Sequence, residues 1–277
     1  MFGGGGSRGA MQVGALRALL EANIVPDILV GTSIGACNAA FLATNGMNEK
    51  SLEKLTEIWH KASASDLLPT NFIRLSARML FKRNNGSKNH FQKFLVLNGL
   101  TPELRFRDLI DIQLYMVATD INNARLTCFG TDPEASILDS VIASSTIPPW
   151  VTPQKTGDQL FIDGGFVSNV PIQVASDAGA SEIIAFELAD NTSLATNNQG
   201  LVKYMGKIVD TVQKRLADLE YSITQERNQI VCRVPLKSLE TVPIWDFSHT
   251  DSLIEQGYQI TKQEIDRWQA ERQTILQ

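Results

Sequence analysis

The sequence has 277 residues, 43% of them hydrophobic and 20% charged, as in an ordinary globular chain. Its formal net charge of -5 argues against nucleic acid as a partner, since such domains carry a basic face. A lipid surface stays open, because a local patch is enough to meet one. The three cysteines, Cys37, Cys128 and Cys232, form neither a disulfide framework nor a zinc pattern, so a reducing, cytoplasmic setting is expected. Glycines directly follow Met1-Phe2 with no charged-then-apolar leader. No apolar run approaches the roughly 18 residues of a transmembrane helix, so membrane contact is expected only from the side.

The first predicted helix runs from Gly9 to about Ala22, with Met11, Val13, Leu16, Leu19 and Leu20 on one side. Pro26-Asp27 marks a turn, and Ile28-Leu29-Val30 reads as a short buried strand. It ends at Gly31, and Ile34 to about Ala43 reads as a helix closing near Gly46. Helical spacing continues less cleanly from Glu49 to Leu100, interrupted by a polar, basic loop at Lys82 to Asn89. Strands are predicted at Leu114–Thr119, Arg125–Phe129, Leu160–Ile162, Ile183–Leu188 and Gln229–Val234. Helices are predicted at Ile137–Ala143, Gln199 to about Ala217 and Ser252 to about Ile275. Helices alternating with apolar strands indicate an α/β fold. The chain is read as one domain over 1–277, a motif-bearing core at 1–190 and a helix-strand-helix at 199–277.

Three features carry chemistry. Gly31-Thr32-Ser33-Ile34-Gly35, between a strand and a helix, has the form of a sharp turn that exposes a nucleophilic serine at a helix N-terminus. The plainer alternative is a serine that only caps the helix. Gly3-Gly4-Gly5-Gly6-Ser7-Arg8-Gly9 sets several N–H donors ahead of a helix, where they suit an anion. That anion is either a pyrophosphate, since Gly4-x-Gly6-x-x-Gly9 fits dinucleotide spacing, or the oxyanion of acyl transfer. The oxyanion is preferred, because the strand after the loop ends in the serine turn instead of an acidic residue. Arg8 is either a charge near the site or a solvated surface residue. Third, Asp163-Gly164-Gly165 follows apolar Leu160-Phe161-Ile162 and offers a carboxylate at a strand end. It serves as a general base or as a simple turn.

A serine nucleophile needs a base, commonly histidine. Of His60, His90 and His249, the last sits where an α/β-hydrolase would place one, yet such enzymes set several strands before the serine turn. Only one clear strand precedes Ser33.

Together the motifs resemble the patatin-like phospholipase family: Gly4-Gly5-Gly6-Ser7-Arg8-Gly9, Gly31-Thr32-Ser33-Ile34-Gly35 and Asp163-Gly164-Gly165. Ala143-Ser144-Ser145-Thr146-Ile147-Pro148-Pro149 and Asn169-Val170-Pro171-Ile172 resemble it too, and the likeness weakens beyond Leu188. The resemblance implies a three-layer α/β/α fold with a mostly parallel central sheet. It implies a Ser33–Asp163 dyad without histidine and an oxyanion hole from the N–H groups of Gly4, Gly5, Gly6 and Ser7. Arg8, Gly9, Gly31, Gly35, Gly164 and Gly165 become supporting positions. The implied substrate is a lipid or other acyl ester, with no metal or cofactor. In one respect the sequence departs from the family: only Met1 and Phe2 stand where an apolar strand usually precedes the glycine loop. Either that strand is cut short or the natural start lies upstream, and the loop's rigidity hangs on which. Walls for an acyl chain are expected from Ser63–Leu100 and the Gln199–Ala217 helix. Met79-Leu80-Phe81-Lys82-Arg83, apolar then basic, is either a peripheral contact with an anionic membrane or, the preferred reading, a surface loop over the core.

Overall fold

Strands buried on both faces must send alternate side chains into two apolar layers, and the strands of this chain do so. The computed structural model describes residues 1–65, 67, 86–148, 151–189 and 201–275. Its strands are β1 (Ile28–Thr32), β2 (Gln113–Asp120), β3 (Arg125–Phe129), β4 (Gln154–Thr156), β5 (Gln159–Asp163), β6 (Glu182–Ala189) and β7 (Ile230–Lys237). Its helices are α1 (Ala10–Glu21), α2 (Ile34–Asn45), α3 (Glu49–Ser63), α4 (Gly86–Leu97), α5 (Ile137–Ser144), α6 (Ile172–Asp177), α7 (Leu201–Glu226) and α8 (Thr250–Ile275).

Leu29, Phe186, Leu188, Val234 and Leu236 join α1, α2, α5 and α8 in one core. Val30, Ala185 and Val231, at alternate positions of the same strands, point the other way and pack against Ile172 and Ala175 of α6 and Ala217 and Tyr221 of α7. Helices therefore cover both sides of the sheet, giving three layers.

The sheet is parallel along its main run. β7 pairs with β6 and β1 pairs with β2, both parallel. Phe2 bridges the two pairs with parallel contacts to Gly31 of β1 and Phe186 of β6. Its N–H donates to the Val30 carbonyl at 2.8 Å and its carbonyl accepts from Thr32 at 3.1 Å, while Gly3 donates to Phe186 at 2.9 Å. The Phe2 ring lies 5.5 Å from that of Phe186. Met1 extends the pairing, its amino group donating to the Ile184 carbonyl at 2.9 Å and its carbonyl accepting from the Phe186 N–H at 3.0 Å. β3, β5 and β4 add an antiparallel flank.

The register of β2 fixes the geometry of the whole site. β1 occupies one edge of β2 from Gln113 to Val117, and β3 pairs with Met116 to Asp120. β5 pairs with Ala118 to Asp120, residues whose other edge β3 already fills, so β5 shares the edge used by β1. Thr32 is opposite Val117 and Asp163 opposite Ala118. The two antiparallel strands thus meet end to end.

Several elements differ from the sequence-based expectations. Helix α4 starts at Gly86, inside the stretch expected to be loop to Asn89; the rest of that stretch, Lys82 to Asn85, lies outside the described residues, as does Met79-Leu80-Phe81. The hairpin partner β4 and the short helix α6 were not expected, since both are brief and lack a clean apolar period. Helix α7 runs on to Glu226 because Ala217, Tyr221 and Thr224 continue its buried stripe. No helix among the described residues is long and apolar enough to cross a membrane.

Helices α1 and α8 cross with their backbones in contact. A Cβ on Gly14 would overlap the Ile254 carbonyl, and one on Gly257 the Met11 carbonyl. Overpacking at a rigid backbone contact costs about 1–3 kcal/mol. Gly257→Ala should therefore lower the unfolding free energy by about 2–3 kcal/mol, measured by urea denaturation, although glycine-to-alanine normally favours a helix.

Candidate active site

Ser33 closes β1 and caps α2 with φ 56° and ψ -124°, in the left-handed half of conformational space. A non-glycine residue held there costs on the order of 1–3 kcal/mol and persists only when its surroundings impose it. Here they do so from several sides. The Ser33 N–H donates to the Ser144 hydroxyl at 2.9 Å, and that hydroxyl donates in turn to the Val117 carbonyl at 2.6 Å. The Ser33 carbonyl accepts from Ser145 Oγ at 3.1 Å and from the Ala36 N–H at 2.9 Å. Ser144 and Ser145 lie in a stretch the sequence marked without giving it a role. Small hydroxyl residues ending the apolar helix α5 were the available signal.

The glycines flanking the turn, Gly31 and Gly35, sit where a Cβ would strike the α2 backbone and the Phe2 carbonyl respectively. The turn therefore nests directly against the glycine loop. A Cβ on Gly4 would come within 3.0 Å of Ser33 Cβ and 2.7 Å of Asn169 Oδ1, so the absence of a side chain lets the loop backbone reach the serine.

The loop is braced on every side. Gln12 Nε2 donates to the Gly3 carbonyl at 2.7 Å, Asn38 Nδ2 to Gln12 Oε1 at 2.9 Å and Trp59 Nε1 to Asn38 Oδ1 at 3.1 Å. Asn38 also donates to the Gly9 carbonyl at 3.1 Å. Arg8 is 5% exposed and its Nε donates to the Gly5 carbonyl at 3.2 Å; it is a buried part of the loop, contrary to the solvated alternative. From the far end of the chain, Ile244 and Pro243 accept from the Ser7 N–H and hydroxyl at 2.9 and 2.8 Å.

These bonds narrow the expected set of anion donors. The Gly4 N–H is committed to the Asn169 carbonyl at 3.1 Å and that of Ser7 to Ile244. Among the described contacts, the N–H groups of Gly5 and Gly6 are the two of the four left without an acceptor, and Gly6 lines the pocket beside Ser33.

Asp163 ends β5 and is 5% exposed. Its Oδ1 accepts from the Gly165 N–H at 2.8 Å, its carbonyl from Thr119 Oγ1 at 2.8 Å, and its N–H donates to Thr146 at 2.7 Å. Oδ2 is buried without a well-formed partner. Burial pushes the carboxyl up to about 6, against the pull of Ser33 and Gly165. At Gly164 a Cβ would strike the Val117 carbonyl, and at Gly165 it would crowd Asp163 Oδ1 at 3.1 Å.

The histidines go elsewhere. His60 Nε2 meets Asp251 at 2.7 Å on the surface, His249 faces Asp246 at 3.6 Å, and His90 is exposed on α4. Cys37, one turn beyond Ser33, is pushed up to about 12 by burial and stays a thiol at neutral pH. From Ser33 an apolar pocket runs between α3 and α4, walled by Leu55, Trp59, Phe91, Phe94 and Leu95 and by Phe247. The walls expected from Ser63–Leu100 are present in part. Among the described residues α7 lines none of it, because α7 covers the opposite face of the sheet.

The family model described as patatin-like phospholipase matches residues 1–176. Patatin-like phospholipase domain-containing protein 6 of Homo sapiens is 26% identical over 97% of this chain and 20% of its own length. Patatin-like phospholipase domain-containing protein 7 of Rattus norvegicus is 28% identical over 97% of this chain and 20% of its own length. The neuropathy target esterase sws of Drosophila melanogaster is 28% identical over 72% of this chain and 13% of its own. The chain thus spans about a fifth or less of the length of these three relatives. VipD from Legionella pneumophila has the same fold, with a TM-score of 0.53 at 16% identity over 96% of this chain and 66% of that one. With its family model covering the glycine loop, the serine turn and the aspartate, the chain belongs to the patatin-like phospholipase family.

Proposed function

We propose that the protein is a serine acyl hydrolase acting on lipid esters, with Ser33 as nucleophile and Asp163 as base. The observation that carries this reading is the end-to-end meeting of β1 and β5 on one edge of β2, which sets a strained serine beside a buried carboxylate of raised pKa. The apolar pocket leading away from Ser33 suits an acyl chain. Membership in a phospholipase family supports the ester class.

In the reaction so assigned, Ser33 Oγ attacks the ester carbonyl carbon while Asp163 takes the hydroxyl proton. The C=O electron pair moves onto oxygen, where the N–H groups of Gly5 and Gly6 stabilise it. Collapse breaks the bond to the alcohol, which leaves with the proton from Asp163. Water then adds to the acyl-enzyme, giving its proton to Asp163, and the acid departs as the proton returns to Ser33. No metal or cofactor enters these steps. The domain is read as one unit over 1–277, since residues 243 and 244 brace the loop at Ser7.

A fluorophosphonate probe should label the wild-type protein and leave Ser33→Ala unlabelled. Asp163→Asn should slow labelling by about 100-fold or more. A folded wild-type protein that takes no label would sink the hydrolase reading in favour of an idle lipid- or partner-binding protein. Because the base must be ionised, the labelling rate should rise with pH and level off above about 6.

The stability of the fold should move the opposite way. A carboxyl raised from 3.8 to about 6 keeps its proton in the folded state after the unfolded chain has released it. Stability is therefore lost as pH rises from about 4 to about 6 and stays lost above. Asp163→Asn removes that loss. Relative to wild type, it should gain on the order of 2 kcal/mol between pH 4 and pH 8 in denaturant titrations.

Ser144→Ala should cost about 1–3 kcal/mol of stability, because it leaves the buried Ser33 N–H and Val117 carbonyl unpaired. It should also slow probe labelling, whereas substituting the exposed Ser222 on α7 should change neither.

A further inference from the structure

Helix α7 is longer than the sheet it covers. Its C-terminal end turns directly into the start of β7, and Ala217 and Tyr221 pack on the sheet. Higher up, Glu220 accepts from Gln173 N at 3.1 Å and from the Ser168 hydroxyl. Gln213 then lies level with Gly165, its amide within 2.7 Å of where a Gly165 Cβ would stand. Residues 201–212 therefore continue past the carboxyl ends of the strands, the end where Ser33 and Asp163 sit. Twelve residues of helix extend about 18 Å.

None of the described side chains from Tyr204 to Val212 is buried. Tyr204, Ile208 and Val212, one turn apart on one stripe, are 54%, 42% and 49% exposed. Phe166, directly after Asp163-Gly164-Gly165, is 40% exposed. Helix packing gives no reason for this apolar stripe, because the buried face of α7 is the one carrying Ala217, Tyr221 and Thr224.

The charges on α7 give the stripe its partner. From Tyr204 to Arg215 there are three basic residues, Lys207, Lys214 and Arg215, and one acidic residue, Asp210. From Leu216 to Glu226 there are three acidic residues and no basic one. A helix macrodipole favours the reverse, acids early and bases late, and α7 has no acidic residue in its first turn and no basic one in its last. Helix stability does not account for that polarity. It also stands against a chain whose net charge is -5. Exposed aromatic and aliphatic side chains flanked by basic ones are the composition of a helix that lies in a negatively charged lipid interface.

We propose that the projecting half of α7, with Phe166, is a docking surface for an anionic bilayer, seating the molecule with the Ser33 end of its sheet toward the lipid. It deepens the lipid-hydrolase reading and rests on it for its purpose, the delivery of an ester substrate from the membrane.

Sedimentation with vesicles of phosphatidylcholine mixed with phosphatidylglycerol, and with vesicles of phosphatidylcholine alone, tests the surface. The intact chain should prefer the anionic vesicles, and added salt should weaken the preference. Lys214→Glu/Arg215→Glu should lower anionic-vesicle binding by about tenfold or more, and Ile208→Ser/Val212→Ser should lower binding to both vesicle types. Both variants should hydrolyse a soluble short-chain ester as wild type does. Equal vesicle binding by wild type and charge variant overturns the proposal. So does a wild-type protein that ignores anionic vesicles, or one whose self-association is all that the substitutions change. A wild type that binds vesicles through these residues but cleaves no ester supports the surface and refutes the hydrolase.

Discussion

The edge of β2 can hold only one partner at each residue, and the site is a consequence of that limit. β1 pairs up to Val117 and β5 pairs from Ala118, so the strands abut and their last residues lie side by side. The turns that follow must leave the sheet at one point. One carries Ser33 and the other Asp163, residues 130 positions apart whose proximity needs no long side chain to bridge it. Val117 meets both: its carbonyl accepts from the Ser144 hydroxyl that holds Ser33, and the same carbonyl is what a Cβ on Gly164, next to Asp163, would strike.

This arrangement stores two unfavourable terms in one place. Ser33 sits at positive φ, and Asp163 is a carboxyl forced into a nearly dry position. Each is tolerable because polar groups around it are fixed by others. Ser144 and Ser145 hold the serine backbone, and Thr119, Thr146 and Gly165 hold the aspartate. The glycine loop is locked by a buried chain of side chains from Trp59 through Asn38 and Gln12. A loop of four glycines is entropically expensive to order, and this network, with Phe2 pairing on both sides, holds it in place.

The turn around Ser33 was legible in sequence because its constraints are local. Glycines must stand where the strand, turn and helix crowd one another, and apolar residues must flank them. Asp163 was legible only as a strand end, and the residue types alone left it as either base or turn. What joins it to Ser33 is the register of β2, a long-range fact with no local signature. The committed N–H groups of Gly4 and Ser7 were equally hidden, since their acceptors, Asn169 and Ile244, lie 165 and 237 positions away. Ser144 shows the same limit: its hydroxyl acts on a backbone 111 residues distant. The extra length of α7 had a weaker excuse, because Ala217, Tyr221 and Thr224 keep helical spacing and could have been read.

The placement of α7 also separates two tasks that the sequence had merged. Its helix was expected to wall the acyl pocket, yet α7 lies on the layer opposite that pocket, whose described walls come from α3, α4 and Phe247. It lines no part of the described pocket, its apolar stripe stands exposed, and its charges oppose its own dipole. The bilayer contact proposed above gives that stripe and those charges a use. Glu220 ties it through Ser168 and Gln173 to the segment that follows Asp163, and Asn169 in that segment holds Gly4. Contact made outside is thereby carried on a rigid support to the loop and turn where ester chemistry is assigned.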